Sequence, residues 1–510
     1  LRPWVSPDIA CWVKHPRTDR DWAALVAEYV GDPEKAEPLR RVLDIARRGG
    51  CLTVVIENRY VDVDYRSEYS AFWSLKFDNQ SPFTRRFHFF AAEFDEDRIH
   101  KLLKGMRESY LGYSVIRPVP YGRVGRTVLA PPPELQAHLT AITDHVSFFG
   151  QPLEVEGVPF CQQDAEFLRC AHAAAWICHY TASRHGQVGR RNTAEVVELS
   201  PSSLSPERAR PSRGLNYNQL QVVFGELDQP AILYGLSNLP KVVGVAEPVS
   251  PDVPEEGEGE DDLPRLPTPA GYWDRRLESI ICRYLNSGFP VLVGAEDHAF
   301  VLVGWRRDDE GVIQFIACDD AVGPYEVIPS PFEHYKTPWE AIMVPLPPRV
   351  YMSAESAESR AHDALRSMSK DGAERLSAAG NPNAAKLLSD LREELGDGRI
   401  TLRTSLRTGA SVKEGIAGAT NSDEVLALIR GARLPHWVWL VEAHRRKLCG
   451  TKKGRCVVAA VVLDSTAYDI EAPLDILTMP GTVIAYPPDD ADEVTIDGSI
   501  DPWRSLIEVH

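Results

Sequence analysis

The stretch Cys170-Ala-His-Ala-Ala-Ala-Trp-Ile-Cys-His-Tyr180 constrains the fold more than any other part of this chain. Drawn as a helix, it is small or apolar on almost every side, so it has no solvent face and must be covered all round by other elements. An extended entry, Val158-Pro-Phe160, and a polar turn, Gln162-Gln163-Asp164, precede it. Cys170 falls in the first turn, where the partial positive charge of a helix N-terminus favours thiolate over thiol. Gln163, seven residues upstream, is placed to bring an amide donor beside that sulfur. A thiol and an amide donor make half of a cysteine-nucleophile site. A lone cysteine is ordinarily a core thiol, so the other half must come from elsewhere in the chain.

At 510 residues the chain exceeds one ordinary core, and two or three domains are expected. Its 44% hydrophobic and 25% charged residues are those of a globular protein, and no apolar run of membrane-spanning length occurs. Leu1 to Pro7 lacks the basic-then-apolar pattern of a secretion signal. The nine cysteines are odd in number and sit mostly in apolar runs, which points to a reducing, cytoplasmic compartment. Cys161, Cys170, Cys178 and His179 compete as a zinc set, but their spacing contains no CxxC pair, so no metal and no other cofactor is expected. A net charge of −17 argues against nucleic acid as a partner. Eight acidic residues and no basic one lie between Glu247 and Pro264, in a Pro-rich stretch of about 247–267 that reads as a surface insertion.

Periodicity divides the chain into 1–150, 151–350 and 351–510, each mixing helices and strands. In the first region, Asp19 to Arg48 is helical, 51–65 reads as strand, turn and strand, and Tyr69–Phe77 and Phe87–Phe94 read as further strands. Gly112–Leu129 reads as a hairpin whose Arg117, Arg123 and Arg126 are taken as solvated, with anion binding the functional alternative. The second region holds the apolar helix. Phe289–Val293, His298–Trp305 and Val312–Cys318 then read as successive strands, the last ending in Asp319-Asp320. The third has helices from Ala354 to Leu395 and paired apolar strands at His436–Glu442 and Val457–Leu463.

Here the missing half emerges. The short hairpin Arg306–Gly311 makes its two strands antiparallel neighbours, which brings a strand-start histidine and a strand-end aspartate to one sheet edge. Asp319 and Asp320 alternate faces, so only one faces His298. The sequence Val158-Pro-Phe with Gln-Gln-Asp, Cys170 and an Ala-rich helix resembles the papain-like cysteine peptidases of the bacteriocin-processing, double-glycine-leader type. Asp297-His298-Ala-Phe-Val-Leu-Val-Gly and Asp319-Asp320-Ala-Val-Gly-Pro-Tyr resemble that family's histidine strand and aspartate turn. The resemblance covers the central region only. It implies Cys170 as nucleophile, His298 as base and acid, and Asp320 as the residue that orients the ring, with Asp319 second. Gln163 is implied as oxyanion donor, with Gln162 the alternative if the register slips by one. Ala171 stands where the family usually has glycine.

The expected architecture is therefore α+β and multi-domain: a central papain-like domain, its nucleophile helix packed on an antiparallel sheet, between mixed α/β flanking domains. The expected function is cleavage of a peptide or protein amide through a Cys170 thioester, with the acidic insertion as a lid and a regulated bacterial effector as the setting. Deamidation or transpeptidation on the same triad is one alternative. An inactive papain-like protein that binds peptide is the other, favoured by Ala171. A protein or peptide substrate is the only partner implied, with no nucleic acid and no membrane.

Overall fold

The computed structural model describes residues 11–30, 36–77, 80–93, 103–200, 214–236, 239, 275–295, 297–328, 339–418, 420, 422–445, 455–467, 474–479, 482–485, 494–496 and 503–504. The chain is mixed α+β and divides into two compact units. Unit one takes 1–236 and 288–348, and unit two takes 237–287 and 349–509.

Unit one is built on two antiparallel sheets. The first contains β1 (Cys11–Lys14), β2 (Thr53–Tyr60), β3 (Thr84–Phe90), β4 (Tyr110–Ile116), β5 (Val124–Leu129), β7 (Ile142–Phe148) and β8 (Gln151–Phe160) in the order β1-β2-β3-β4-β5-β8-β7. The second has β9 (Ala231–Gly235), β10 (Val291–Ala295), β11 (His298–Arg307), β12 (Ile313–Asp319), β13 (Gly323–Ile328) and β14 (Trp339–Pro345) in the order β13-β12-β11-β10-β14-β9, with β6 (His138–Leu139) against β11. Strand β8 changes character along its length. From 151 to 157 it pairs with β7, and from 158 to 160 with β5. Its burial alternates at first and then becomes continuous from Gly157 to Phe160, as a strand does on passing from a half-wet face into an interior.

The helices of unit one follow from their caps and apolar faces. Thr18 and Asp21 form a capping box ahead of α1 (Asp19–Tyr29), and Pro38 opens α2 (Glu37–Arg48), whose Leu39, Val42, Leu43 and Ile45 face the core. The helix α3 (Val63–Ala71) occupies residues expected to be strand. The Asp62 side chain accepts the N–H groups of Asp64 and Tyr65, and this cap wins over the apolar alternation of Val61, Val63 and Tyr65. A short 3₁₀ turn at Trp73–Leu75 likewise replaces the strand expected over 69–77. After α4 (Leu103–Glu108) comes α5 (Cys170–Arg184), the apolar helix, followed by α6 (Thr193–Glu198) and α7 (Tyr217–Glu226). Every residue of α5 from Ala171 to Ala182 is buried. It touches β7 and β8 of the first sheet and β10 and β11 of the second, so the two sheets together supply the cover that its composition demands.

The sheets are also joined directly. Tyr325 of β13 donates its hydroxyl hydrogen to the Leu129 carbonyl at 2.6 Å and accepts the Val158 N–H at 2.9 Å. Gly157 makes room for this junction, since a Cβ there would lie 2.0 Å from the Leu129 oxygen and 2.9 Å from the Tyr325 hydroxyl. The expected boundary at 150 thus falls inside a hairpin of unit one, because β8 completes the sheet that the first region begins.

Unit two contains α8 (Arg275–Asn286), α9 (Ala354–Ala378), α10 (Pro382–Gly396), α11 (Gly409–Ala417) and α12 (Asp423–Gly431). Its sheet runs β15 (Ile400–Thr408), β16 (Trp437–Arg445), β17 (Arg455–Asp464), β18 (Leu474–Met479), β19 (Thr482–Ala485) and β20 (Val494–Ile496), with β21 (Trp503–Arg504) on β17. Helix α8 belongs here and not with the strands that follow it. Arg283 pairs with buried Glu358 of α9, and Glu358 also accepts from Thr404 of β15. The acidic stretch 247–267 lies outside the described residues.

Replacing Tyr325 by Phe removes one donor and one acceptor from the buried junction of the two sheets. The variant should lose about 1–3 kcal/mol in urea unfolding followed by intrinsic tryptophan fluorescence, with no change in oligomeric state.

Candidate active site

Cys170 begins α5, with Arg169 in extended conformation as its N-cap residue, and the side chain is half-buried. His298 begins β11, where it pairs with Ala295 across the end of the β10–β11 hairpin. Its ring lies almost parallel to that of Phe300, with centroids 6.2 Å apart, and Phe300 is held edge-on by Trp339. Asp319 ends β12. Its Oδ1 accepts the Ala321 N–H at 2.8 Å and its carbonyl accepts the Val322 N–H, so the turn fixes the carboxylate it carries.

These elements converge. His298 Nε2 lies 3.0 Å from Asp319 Oδ1 and 3.8 Å from Asp320 Oδ1. The hydrogen bond therefore goes to Asp319, where the family resemblance implies Asp320 first. The bulge between Ala317 and Asp319 shifts the register at the strand end, a displacement that strand alternation alone does not reveal. With Nε2 engaged by Asp319, Nδ1 is the nitrogen that can serve the thiol. Burial alone would lower the proton affinity of the ring. The hydrogen bond to Asp319, contact with the Cys170 thiol and the charges of both aspartates outweigh it and push the ring up to about 11.

Asp320 is 3% exposed, and neither of its oxygens makes a hydrogen bond. Burial raises its carboxyl to about 7. The His298 charge opposes that rise, Asp319 adds to it, and the Gln163 amide pulls weakly the other way. Gln163 therefore stands near the Asp320 carboxyl without closing a full hydrogen bond. Gln162 is committed elsewhere. Its N–H donates to the Val124 carbonyl at 2.9 Å, its Oε1 accepts from the Val124 N–H at 3.3 Å, and its carbonyl accepts from Arg117. Of the two glutamines, only Gln163 approaches the cluster.

The loop that carries Gln163 is rigidly built. Asp164 is fully buried, and its Oδ1 accepts the N–H groups of Glu166, Phe167 and Leu168 at 2.9, 2.7 and 3.0 Å. Arg117 reaches the same loop from the β4–β5 hairpin. It donates to the Gly122 and Gln162 carbonyls and pairs with Glu68 at 3.1 Å, with both charged groups buried. Gly122 sits at φ +61°, and a Cβ there would lie 1.7 Å from the Gln163 carbonyl oxygen, so the hairpin and the loop are in backbone contact. The arginines expected to be solvated thus have structural partners: Arg117 has Glu68, and Arg126 has Asp62 at 2.7 Å. Glu68 and Asp164 were not legible as parts of the site. An acidic residue after two glutamines carries no signal of which N–H groups it will accept.

His172 and His179 lie apart from the cluster. His172 bonds Ser200 through Nε2 at 3.1 Å and accepts the Arg169 N–H. Burial, with the Arg169 charge, lowers it to about 3. His179 faces Gln229 at 2.7 Å. Among the described residues, His298, Asp319 and Asp320 are the set of three whose ligand atoms lie within 4.8 Å of one another, so a divalent cation would compete there with the histidine–aspartate bond.

The geometry defines a mixed α+β protein with a cysteine, a histidine and an aspartate gathered where β11 starts and β12 ends. No family model matches the chain, and no curated protein matches it by sequence. Nine solved chains match in structure. One is the crystal structure of UfSP from C. elegans, with a TM-score of 0.21 and 13% identity over 38% of this chain and 34% of that one. The match spans about a third of that protein, a likeness too slight to argue from. Among the described residues no helix is long and apolar enough to cross a membrane.

Two measurements follow from this geometry. Folded Asp320 keeps its proton up to about 7, against an ordinary value of 3.8, so the folded state holds an extra proton and stability falls as pH rises from about 4 to about 7. Asp320→Asn should abolish that fall, leaving the variant more stable than wild type at pH 8 by roughly 1–3 kcal/mol and little changed at pH 4. Arg117→Met strands the buried Glu68 charge and should cost about 3–5 kcal/mol in chemical unfolding, most of it recovered in Arg117→Met/Glu68→Leu.

Proposed function

We propose that the protein is a cysteine peptidase of papain-like type, resembling the bacteriocin-processing peptidases, with Cys170, His298 and Asp319 as its catalytic residues. The observation that carries this reading is the contact of the His298 ring with the Cys170 thiol on one side and the Asp319 carboxylate, at 3.0 Å, on the other. A nucleophile, a base and a group that orients the base, in contact in that order, meet the requirement for covalent acyl transfer.

His298, which Asp319 keeps oriented and stabilises as imidazolium, takes the thiol proton as the sulfur attacks. The sulfur attacks the amide carbon of a peptide. The oxyanion is met by the Cys170 N–H at the open end of α5 and by the Gln163 amide. His298 delivers its proton to the leaving nitrogen, the C–N bond breaks and a thioester remains. Water, deprotonated by His298, attacks the thioester, and carboxylate and thiol are regenerated. Asp320 stands beside the ring as a second carboxyl that is half protonated near neutrality, which limits the negative charge around the imidazolium. Ala171 does not obstruct this chemistry. It is 2% exposed, so its methyl group is spent inside the core and not in the substrate path.

Labelling with iodoacetamide at pH 7 tests the reading. Cys170 should react at least tenfold faster than Cys11 or Cys282, the other half-buried cysteines among the described residues, and His298→Ala should remove that advantage. Equal labelling of all three sites would sink the enzyme reading. In a mass-spectrometric screen of peptide mixtures, hydrolysis gives two fragments that Cys170→Ala does not produce. A gain of about one dalton without cleavage would instead assign deamidation to the same residues.

A further inference from the structure

A cavity of unit one is lined in part by the residues that join β4 to β5. Its volume is about 360 Å³, and Arg59, Arg85, Arg117 and Arg123 line it, with no carboxylate among the described lining residues. The charge of Arg117 is met by Glu68. Arg85 and Arg123 are answered only by neutral groups in the interactions described. Arg85 donates from Nε to the Asn58 amide oxygen at 3.4 Å and lies 5.1 Å from the centre of the Tyr29 ring. Arg123 donates to the Tyr29 carbonyl, while its Nε is buried with no hydrogen-bond partner.

Two cations held in one half-buried cavity repel each other. Burial first, and then the charge of Arg85, lower the proton affinity of Arg123. A protein keeps such a pair at a cost unless an anion relieves it. The rim adds a second sign of construction. Arg59 sits at φ +57° in a bulge between Glu57 and Tyr60, a left-handed conformation that is unfavourable for a non-glycine residue. That conformation carries its guanidinium over the Phe83 ring at 4.5 Å, and both residues line the cavity. Asn58, Gln80 and Ser81 add neutral polar groups to the lining.

We propose that this cavity is a binding site for a small phosphorylated ligand, with Arg85 and Arg123 as the groups that receive the phosphate. Guanidinium forks match phosphate oxygens in pairs, and the unused Nε–H of Arg123 is a donor of that kind. The volume suits a diphosphate or a phosphate ester with a small organic group, and lies at the low end of small-molecule sites. The site is separate from Cys170 and does not require its chemistry.

Isothermal titration of the full chain with inorganic pyrophosphate tests this, with sodium sulfate and an acetylated tetrapeptide with a free carboxylate as comparisons. Saturable binding at one site is expected, tighter for pyrophosphate than for sulfate, and weakening as salt rises. Arg123→Gln and Arg85→Gln should each reduce affinity at least tenfold, while Cys170→Ala leaves it unchanged. If Arg123→Gln fails to fold, Arg85→Gln alone decides. No saturable pyrophosphate binding, unchanged affinity in the folded variants, or binding of the peptide carboxylate in place of pyrophosphate would overturn the proposal.

Discussion

The burial of α5 is the constraint on which the rest of unit one depends. A helix apolar on all sides has no stable place on the surface of a single sheet, and here β7 and β8 cover part of it while β10 and β11 cover the rest. That requirement draws two sheets around one helix, and the sheets are then tied by Tyr325. Cys170 gains its position from the same constraint. The helix is deeply buried from its second residue onward, so its first residue lies where the interior opens, close to the strand end that carries His298.

The charges at that opening balance by proximity. One histidine ring lies among two carboxyls, of which Asp319 takes the hydrogen bond and Asp320 is left with two buried oxygens that make none. Two aspartates side by side in a desolvated place cannot both be fully ionised without cost. The outcome is a division of labour by geometry. The residue whose carboxylate is fixed by its own turn takes the bond to the ring, and burial lets its neighbour Asp320 hold a proton up to about 7.

The sequence was most legible where a single period or a single cap dominated. The apolar helix, the His298 strand, the Arg306–Gly311 hairpin and the paired strands of unit two all follow from local pattern. Residues 61–77 were misread because a few apolar positions in alternation looked like strand, while the Asp62 cap that makes them helical is a single side chain. Asp319 and Asp320 could not be ranked from alternation, because a bulge sets which of them meets the ring. The division into regions at 150 failed for a different reason. Strand pairing over long separations, such as Val158 with Leu129, leaves no mark on local composition. The same holds for Arg117, whose partner Glu68 lies far away in the chain.

The pairing of β9 with β14 sets an order of events during synthesis. Gly235 meets Ala341 and Ala231 meets Pro345, so the first strand after the thiol in sequence waits at the sheet edge for one made much later. His298 and Asp319 likewise leave the ribosome long after Cys170. A nascent chain therefore carries its thiol for many seconds with no base beside it, because non-local pairing must come first. The cluster at the ends of β11 and β12 is thus a property of the finished chain. A ribosome that stops before β12 releases a product with the Cys170 helix but without Asp319.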